Sequence, residues 1–224
     1  MVSVSCKNIT HIYKNRYVEE KVLDNIDLEL ETGVLYCLLG PSGSGKTTLL
    51  NLIGGLVKPT SGDIFIDGQN IVDFKEEALS DLRINKVGYI FQNYNLIPFL
   101  TVKENILLQQ RIKREKDSEL MNHYESLVKK LGIKDIENKY VDHLSGGQQQ
   151  RVAIARCLVM KPTIILADEP TGNLDRENSN NFVRLIKELM KTSSVTFVIV
   201  THDERISEYC DKTIKLDNHK LEYL

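Results

Sequence analysis

At 224 residues the chain is long enough for one substantial domain, or for a core carrying a smaller lobe. Its 42% hydrophobic and 27% charged content is that of an ordinary globular chain, with no internal repeat and no low-complexity linker. The 29 basic against 31 acidic residues leave a net charge of −2, which excludes the strongly basic balance of a polyanion binder, so no nucleic acid partner is expected.

The Lys and Arg residues clustered at 111–116 read as a solvated helix end. The longest apolar runs, Val195 to Val200 and Ile164 to Ala167, are strand-length and far below the roughly 20 residues of a membrane helix. The N-terminus opens on a polar, strand-like alternation rather than a signal peptide. Cys6, Cys37, Cys157 and Cys210 are scattered, without a CxxC pair or metal spacing, and read as buried or half-buried thiols of a reducing compartment. These features predict a cytoplasmic chain; any work at a membrane requires another polypeptide to span it.

In chain order, Val2 to Tyr13 and Val22 to Leu30 alternate apolar and polar residues, as half-exposed antiparallel strands do. Val34 to Leu39 is a continuous apolar run ending at glycine, the pattern of a buried parallel strand. A helix follows over Thr47 to Leu56, stopped near Gly54-Gly55 and Pro59. Short strands are predicted at Asp63 to Ile66 and Val87 to Phe91. From Gln92 to about Met160 the pattern turns helical, with Leu120, Tyr124, Leu127, Val128 and Leu131 at helix spacing and Gly132 as C-cap. After Pro162 the alternation resumes: a strand at Thr163 to Ala167, an amphipathic helix through Phe182 and Met190, a strand at Val195 to Val200, and a hairpin from Thr213 to Tyr223. The expected class is α/β, a single domain in which residues 1–92 and 161–224 form the core and an N-terminal antiparallel subdomain, with a helical insert over about 93–160.

Gly40-Pro41-Ser42-Gly43-Ser44-Gly45-Lys46-Thr47 matches the G-x-x-x-x-G-K-[ST] phosphate loop, with a strand before it and a helix after it. Its backbone N–H groups would wrap phosphates, Lys46 would reach the β- and γ-phosphates, and the Thr47 hydroxyl would bind Mg²⁺, with Thr48 beside it. Ile164 to Ala167 runs into Asp168-Glu169, carboxylates at a strand's C-terminal end and so beside the phosphate loop of an open sheet. Asp168 is expected to hold Mg²⁺, mainly through water, and Glu169 to orient or deprotonate the attacking water. Gln92 ends a strand where its amide can contact both metal and water, and His202, in Thr201-His202-Asp203, falls on the same sheet edge and is expected at the γ-phosphate.

A second anion device lies at Leu144-Ser145-Gly146-Gly147-Gln148. Ser145 is a good N-cap, Gln148 completes a capping box, and the two glycines leave backbone N–H groups uncovered at the start of a helix running to Met160.

In this order, the phosphate loop, Gln92, Leu144 to Gln148, Asp168-Glu169, Asp175 and His202 make the chain resemble the nucleotide-binding subunit of ABC transporters over essentially its whole length. The resemblance implies ATP and Mg²⁺ as ligands. It also implies a head-to-tail homodimer formed on ATP binding, each ATP held between the phosphate loop of one copy and the Ser145 turn of the other. Asp175 would lie at that interface, and Tyr13 matches the aromatic that stacks on adenine. Gly172-Asn173-Leu174-Asp175 and the run Phe91 to Pro98, followed by Thr101-Val102 and Glu104-Asn105, are similar to the group that powers macrolide efflux, lipoprotein release, cell-division control and antimicrobial-peptide resistance. These relatives drive a mechanical stroke in a separate permease, contacted here mainly near residues 93–104. Asp217-Asn218 stands where the family usually has Asp-Gly, and Asn tolerates the left-handed turn. The expected role is ATP-driven export or extraction of a peptide, drug or lipid-like substrate at the inner face of the cell membrane. The alternative is a regulatory ATPase of the cell-division type that transmits force without transport. A soluble ABC ATPase of DNA repair or translation fits poorly, since neither long coiled coils nor a second cassette is present.

Overall fold

The structure, a computed structural model, describes residues 1–14, 18–113, 118–172 and 174–224. Part of the basic cluster at 111–116 and Asn173 of the 172–175 motif lie outside the described residues.

The order is β1 (Val2–Lys14), β2 (Glu19–Glu31), β3 (Leu35–Leu39), α1 (Lys46–Ile53), β4 (Ser61–Ile66), β5 (Gln69–Asn70), α2 (Glu76–Asn85) and β6 (Val87–Ile90). A helical stretch follows with α3 (Val102–Ile106), α4 (Leu108–Lys113), α5 (Ser118–Lys130) and α6 (Gly146–Leu158). The chain closes with β7 (Ile164–Asp168), α7 (Arg176–Met190), β8 (Thr196–Thr201), α8 (Glu204–Ser207), β9 (Lys212–Asp217) and β10 (Lys220–Tyr223).

Two sheets form. One is antiparallel, in the order β2-β1-β4-β5; the other runs β10-β9-β3-β8-β7-β6 and is parallel from β9 through β6. Strand β3 is buried on both faces, as its unbroken apolar run requires. Its alternate residues divide the interior: Leu35, Cys37 and Leu39 join a core with the helices from α3 to α7, while Tyr36 and Leu38 join a core with α1 and the antiparallel sheet. The ends of β3, β6, β7 and β8 fall along one edge of this sheet. Each carries one of the sequence motifs into the following turn, the arrangement that places ligands at carboxyl ends of strands.

Element bounds differ from the sequence reading by a few residues, and α2, β5 and the four-residue α8 were absent from it. α2 buries only Leu79 and Leu82, so its apolar stripe is too thin to read as a period. β5 is two residues long. β6 ends at Ile90, one residue earlier than expected, so Phe91 and Gln92 lie in the turn beyond the strand. At the C-terminal hairpin Asn218 (φ 47°) and His219 (φ 62°) both take the left-handed conformation of a two-residue primed turn. Gly132 is likewise left-handed (φ 63°) just past α5, as its C-cap reading requires. Cys6, Cys37 and Cys157 are buried thiols and Cys210 is half-buried, all unpaired by disulfide.

Candidate functional site: a nucleotide cleft and a detached helix cap

The phosphate loop links β3 to α1. Gly45 has φ 99°, and a Cβ there would stand 2.8 Å from Val22 Cγ1, so glycine serves both the turn and the close approach to β2. Lys46 opens α1 and is buried, its Nζ donating to the carbonyls of Gly40 and Pro41 at 2.8 Å each. Burial holds the ammonium below its ordinary pKa, against the pull of Glu169 and Asp168. The loop thus gathers a cation and turned N–H groups around a hollow, and the buried Ser44 Oγ within it has no hydrogen-bond partner.

A cavity of about 260 Å³ opens above the loop. It is lined by Gly43, Gly45, Lys46, Thr47 and Thr48 of the loop and α1, and by Tyr13, Glu20 and Val22 of the antiparallel sheet. Tyr13 is 45% exposed and its hydroxyl lies 3.3 Å from Thr48 Oγ1, while the ring of His11 meets it edge-on at 4.6 Å. An exposed aromatic ring in the cavity wall is therefore on offer to a base.

The carboxylates complete the phosphate end. The Thr47 hydroxyl donates to Asp168 Oδ1 at 3.1 Å. Burial raises the Asp168 pKa, with the Thr47 bond and Lys46 opposing and the Glu169 charge adding to the rise. Thr47 and Asp168 are the oxygen donors that would hold Mg²⁺, a hard cation suited to a hydroxyl, one carboxylate and phosphate oxygens. Their hard-oxygen chemistry and the orphaned Ser44 Oγ fit a Mg-nucleotide.

Glu169 adopts φ 46°, held there by its N–H to Val200 O and its carbonyl accepting from Gly172 N, both at 3.0 Å. Such a backbone costs about 1–3 kcal/mol and persists only where its surroundings fix it. The conformation turns Oε1 to His202 Nδ1 at 3.0 Å and leaves Oε2 buried without a partner. Gln92 arrives from the β6 turn. A Cβ on Gly172 would come 2.9 Å from Gln92 Nε2 and 3.3 Å from the Glu169 backbone carbonyl, so the bare glycine is what admits the glutamine amide against the turn that follows Glu169. Gly172 was read from sequence only as part of a subfamily signature.

The capping box at Ser145 forms as its pattern requires, but away from the nucleotide cavity of its own chain. Ser145 caps α6: Gln148 N–H donates to its Oγ at 3.4 Å, and its own N–H donates to Gln148 Oε1 at 3.0 Å. Ser145, Gly146 and Gly147 are exposed, and a Cβ on either glycine would meet nothing within 4 Å. None of them lines the nucleotide cavity of its own chain. Asp175 is also exposed and caps α7 by accepting from Asn178 N at 2.8 Å.

A phosphate loop, a carboxylate pair at the neighbouring strand end and a free serine-glycine helix cap coincide with the match of residues 23–172 to the ABC transporter family. The chain belongs to that family. It is 41% identical over 208 residues to the ABC transporter ATP-binding protein YtrE of Bacillus subtilis, spanning 91% of this chain and 90% of that one. It is 39% identical to the lipoprotein-releasing system ATP-binding protein LolD 1 of Rhodopseudomonas palustris, covering 91% of each. It is 38% identical to a putative hemin import ATP-binding protein, HrtA, of Staphylococcus haemolyticus, over 99% of this chain and 100% of the other. In structure it is similar to the dimeric ABC cassette MJ0796 at TM-score 0.86 and 38% identity, covering 98% of this chain and 96% of that one. A second structure of that cassette, a post-hydrolysis dimer bound to ADP and Pi, matches at the same score and identity, over 99% and 98%. This ABC cassette is therefore an ATP-binding, Mg²⁺-dependent ATPase of the transporter type. No described helix is long and apolar enough to cross a membrane.

Proposed function

We propose that the chain powers a separate membrane permease by closing head-to-tail with a second copy of itself around two ATP molecules. The observation that carries this reading is the Ser145 cap: a formed, solvent-open anion site on a 13-residue helix, excluded from its own chain's nucleotide cavity. In the dimer it meets the triphosphate held by the partner's phosphate loop, with Asp175 at the same interface. Within one cleft, Lys46 holds the β- and γ-phosphates and Tyr13 carries adenine, while Thr47, Asp168 and Gln92 hold Mg²⁺. Mg²⁺ when bound neutralises charge on the transferring phosphoryl group. Glu169 Oε2 takes the proton of the attacking water, and His202 orients Glu169 and contacts the γ-phosphate.

The described part of residues 93–160 is the arm that presents the Ser145 cap and meets the permease. A groove of about 300 Å³ lies between that arm and the sheet, floored by Tyr89, Phe91 and Leu56 and flanked by Arg156 and Leu108. Within the arm the turn at 97–101 is fixed by Asn105, whose amide donates to the carbonyls of Ile97, Leu100 and Thr101 and accepts from Ile97 N. Arg156 donates to the carbonyls of Tyr94 and Asn95. Phe99, 78% exposed, stands beside this rigid frame. A rigid, partly apolar notch next to Gln92 is suited to couple a permease helix to the catalytic turn, and on this reading the subunit works at the inner membrane face. The cargo is read by the permease: export or extraction of a peptide, drug or lipid-like molecule is the proposal that the lipoprotein-releasing relatives support.

The test is ATPase activity per subunit across a dilution series. It should fall as copies separate, and Ser145→Arg should abolish it while leaving ATP binding to the single chain intact. Activity per subunit that is independent of concentration would overturn the composite site.

A further inference from the structure

The antiparallel sheet brings one charged side chain to the nucleotide cavity that the ATPase machinery does not use. Glu20 of β2 lines that cavity together with Tyr13 and Val22. Its position follows from the register: Tyr13 and Glu20 are directly opposed across β1 and β2, so both side chains project from one face. Val22, two residues along β2 at the register shift between Lys21 and Leu23, lines the same cavity and abuts the phosphate loop, its Cγ1 2.8 Å from where a Gly45 Cβ would stand. Glu20 therefore stands beside Tyr13 on the cavity face, on the strand whose Val22 reaches the phosphate loop.

The neighbouring charges are paired. Glu19 meets Lys14 at 3.3 Å, and Lys21 meets Asp24 at 3.1 Å. Glu20 makes no ion pair or hydrogen bond with any described residue, although it borders a cavity built for an anion. A carboxylate there is unfavourable toward phosphate unless it accepts hydrogen bonds from another part of the ligand. An ionised carboxylate is acceptor-only, with two oxygens. Of the three parts of ATP, the triphosphate offers it no donor, and the adenine amino group lies on the base edge remote from the sugar. The ribose offers two adjacent hydroxyls, a match for two carboxylate oxygens, and it is the part that lies between base and phosphates.

We propose that Glu20 accepts hydrogen bonds from the ribose 2′- and 3′-hydroxyls and makes this cleft selective for ribonucleotides over deoxyribonucleotides. The proposal rests on nucleotide binding between Lys46 and Tyr13.

The experiment is equilibrium binding of ADP, 2′-deoxy-ADP and 3′-deoxy-ADP, with Mg²⁺, to the full chain and to Glu20→Ala. ADP is not hydrolysed, so binding is read without turnover. The native chain should prefer ADP over at least one deoxy analogue by about tenfold, in the range of one hydrogen bond to a charged acceptor. Glu20→Ala should bring that ratio close to one. A native ratio near one, or a ratio unchanged in Glu20→Ala, overturns the proposal. Uniform tightening of all three ligands in the variant also overturns it, since Glu20 would then only repel phosphate. Failure of the native chain to bind ADP, or ADP binding unaffected by both Lys46→Ala and Tyr13→Ala, would instead sink the cleft assignment on which the proposal stands. Glu20 is exposed on its strand, so the substitution leaves the core untouched.

Discussion

Glu169 Oε1 and His202 Nδ1 stand 3.0 Å apart across the ends of β7 and β8, and the other carboxylate oxygen, Oε2, is buried with no partner. One oxygen is tethered and the other is aimed and unsatisfied. A buried acceptor left open costs about 1–3 kcal/mol, so the arrangement is one that a water or substrate donor relieves.

Glu169→Gln should therefore keep ATP affinity within a few fold while hydrolysis falls by about 10²–10⁴, the usual worth of general-base assistance. Unable to complete turnover, the variant should accumulate as an ATP-bound dimer on size-exclusion chromatography. His202→Ala leaves the carboxylate in place but untethered, so its rate should lie between that of the native chain and that of Glu169→Gln. Equal loss in both variants would assign His202 a role beyond orientation.

Asp168 carries a cost of the opposite kind. Burial raises its pKa in the fold above the value of an unfolded chain. Between those two values the native state binds more protons than the unfolded state, so stability is lost as pH rises through the window. At neutral pH without Mg²⁺ the folded chain thus holds an unfavourable buried charge. Asp168→Asn, which keeps an oxygen for the Thr47 hydroxyl, should raise the melting temperature of the ligand-free chain, at about 2–4 °C per kcal/mol for a protein of this size. Mg-dependent hydrolysis should be lost in the same variant. An unchanged or lower melting temperature would show that the carboxylate is not strained by desolvation.

Gly172→Ala tests the packing that places Gln92. The added methyl would crowd Gln92 Nε2 at 2.9 Å, a flexible side-chain end that can swing away, while Glu169 O at 3.3 Å needs only a small shift. The fold should survive, ATP affinity should change little, and kcat should fall by roughly tenfold or more if the amide is displaced from the metal and water contacts proposed for it. A KM effect with kcat preserved would place Gln92 in binding rather than in the catalytic step.

What the sequence made legible is what short-range chemistry dictates. The phosphate loop, the Ser145 capping box and the apolar runs of β3, β7 and β8 each depend on neighbours within a few residues. The separation of the Ser145 cap from Lys46 follows once one is seen to open α1 and the other α6. Features made by contacts distant in sequence were not legible. Gly172 admits Gln92 from 80 positions away, and Glu20 reaches the cavity only through the β1–β2 register. The buried ring of His11 is another case: its strand alternation predicts an inward side chain, but a polar residue at that position gives no sign of being left unpartnered.

His11 supplies a pH dependence. It is 6% exposed on β1, neither ring nitrogen has a hydrogen-bond partner, and it packs edge-on against the Tyr13 ring at an interplanar angle of 85°. Burial holds its pKa below the ordinary histidine value, with the nearby Lys58 backbone opposing in part. The same direction holds for His123, again chiefly from burial. As the pH falls below about 6.5, the unfolded chain protonates these rings before the folded one does. Their contribution to stability is therefore complete above that value and is lost as the pH falls through the folded pKa, by up to about 1.4 kcal/mol per pH unit for each full proton. Thermal melts of the native chain should drop between pH 7 and pH 5.5. His11→Phe keeps an aromatic edge for Tyr13 and removes the titration, so its melting temperature should fall less over that range, with ADP affinity at pH 7 little changed. If the two chains lose stability in parallel, the acid sensitivity lies elsewhere, and a matching His123→Phe series would identify whether that histidine carries it.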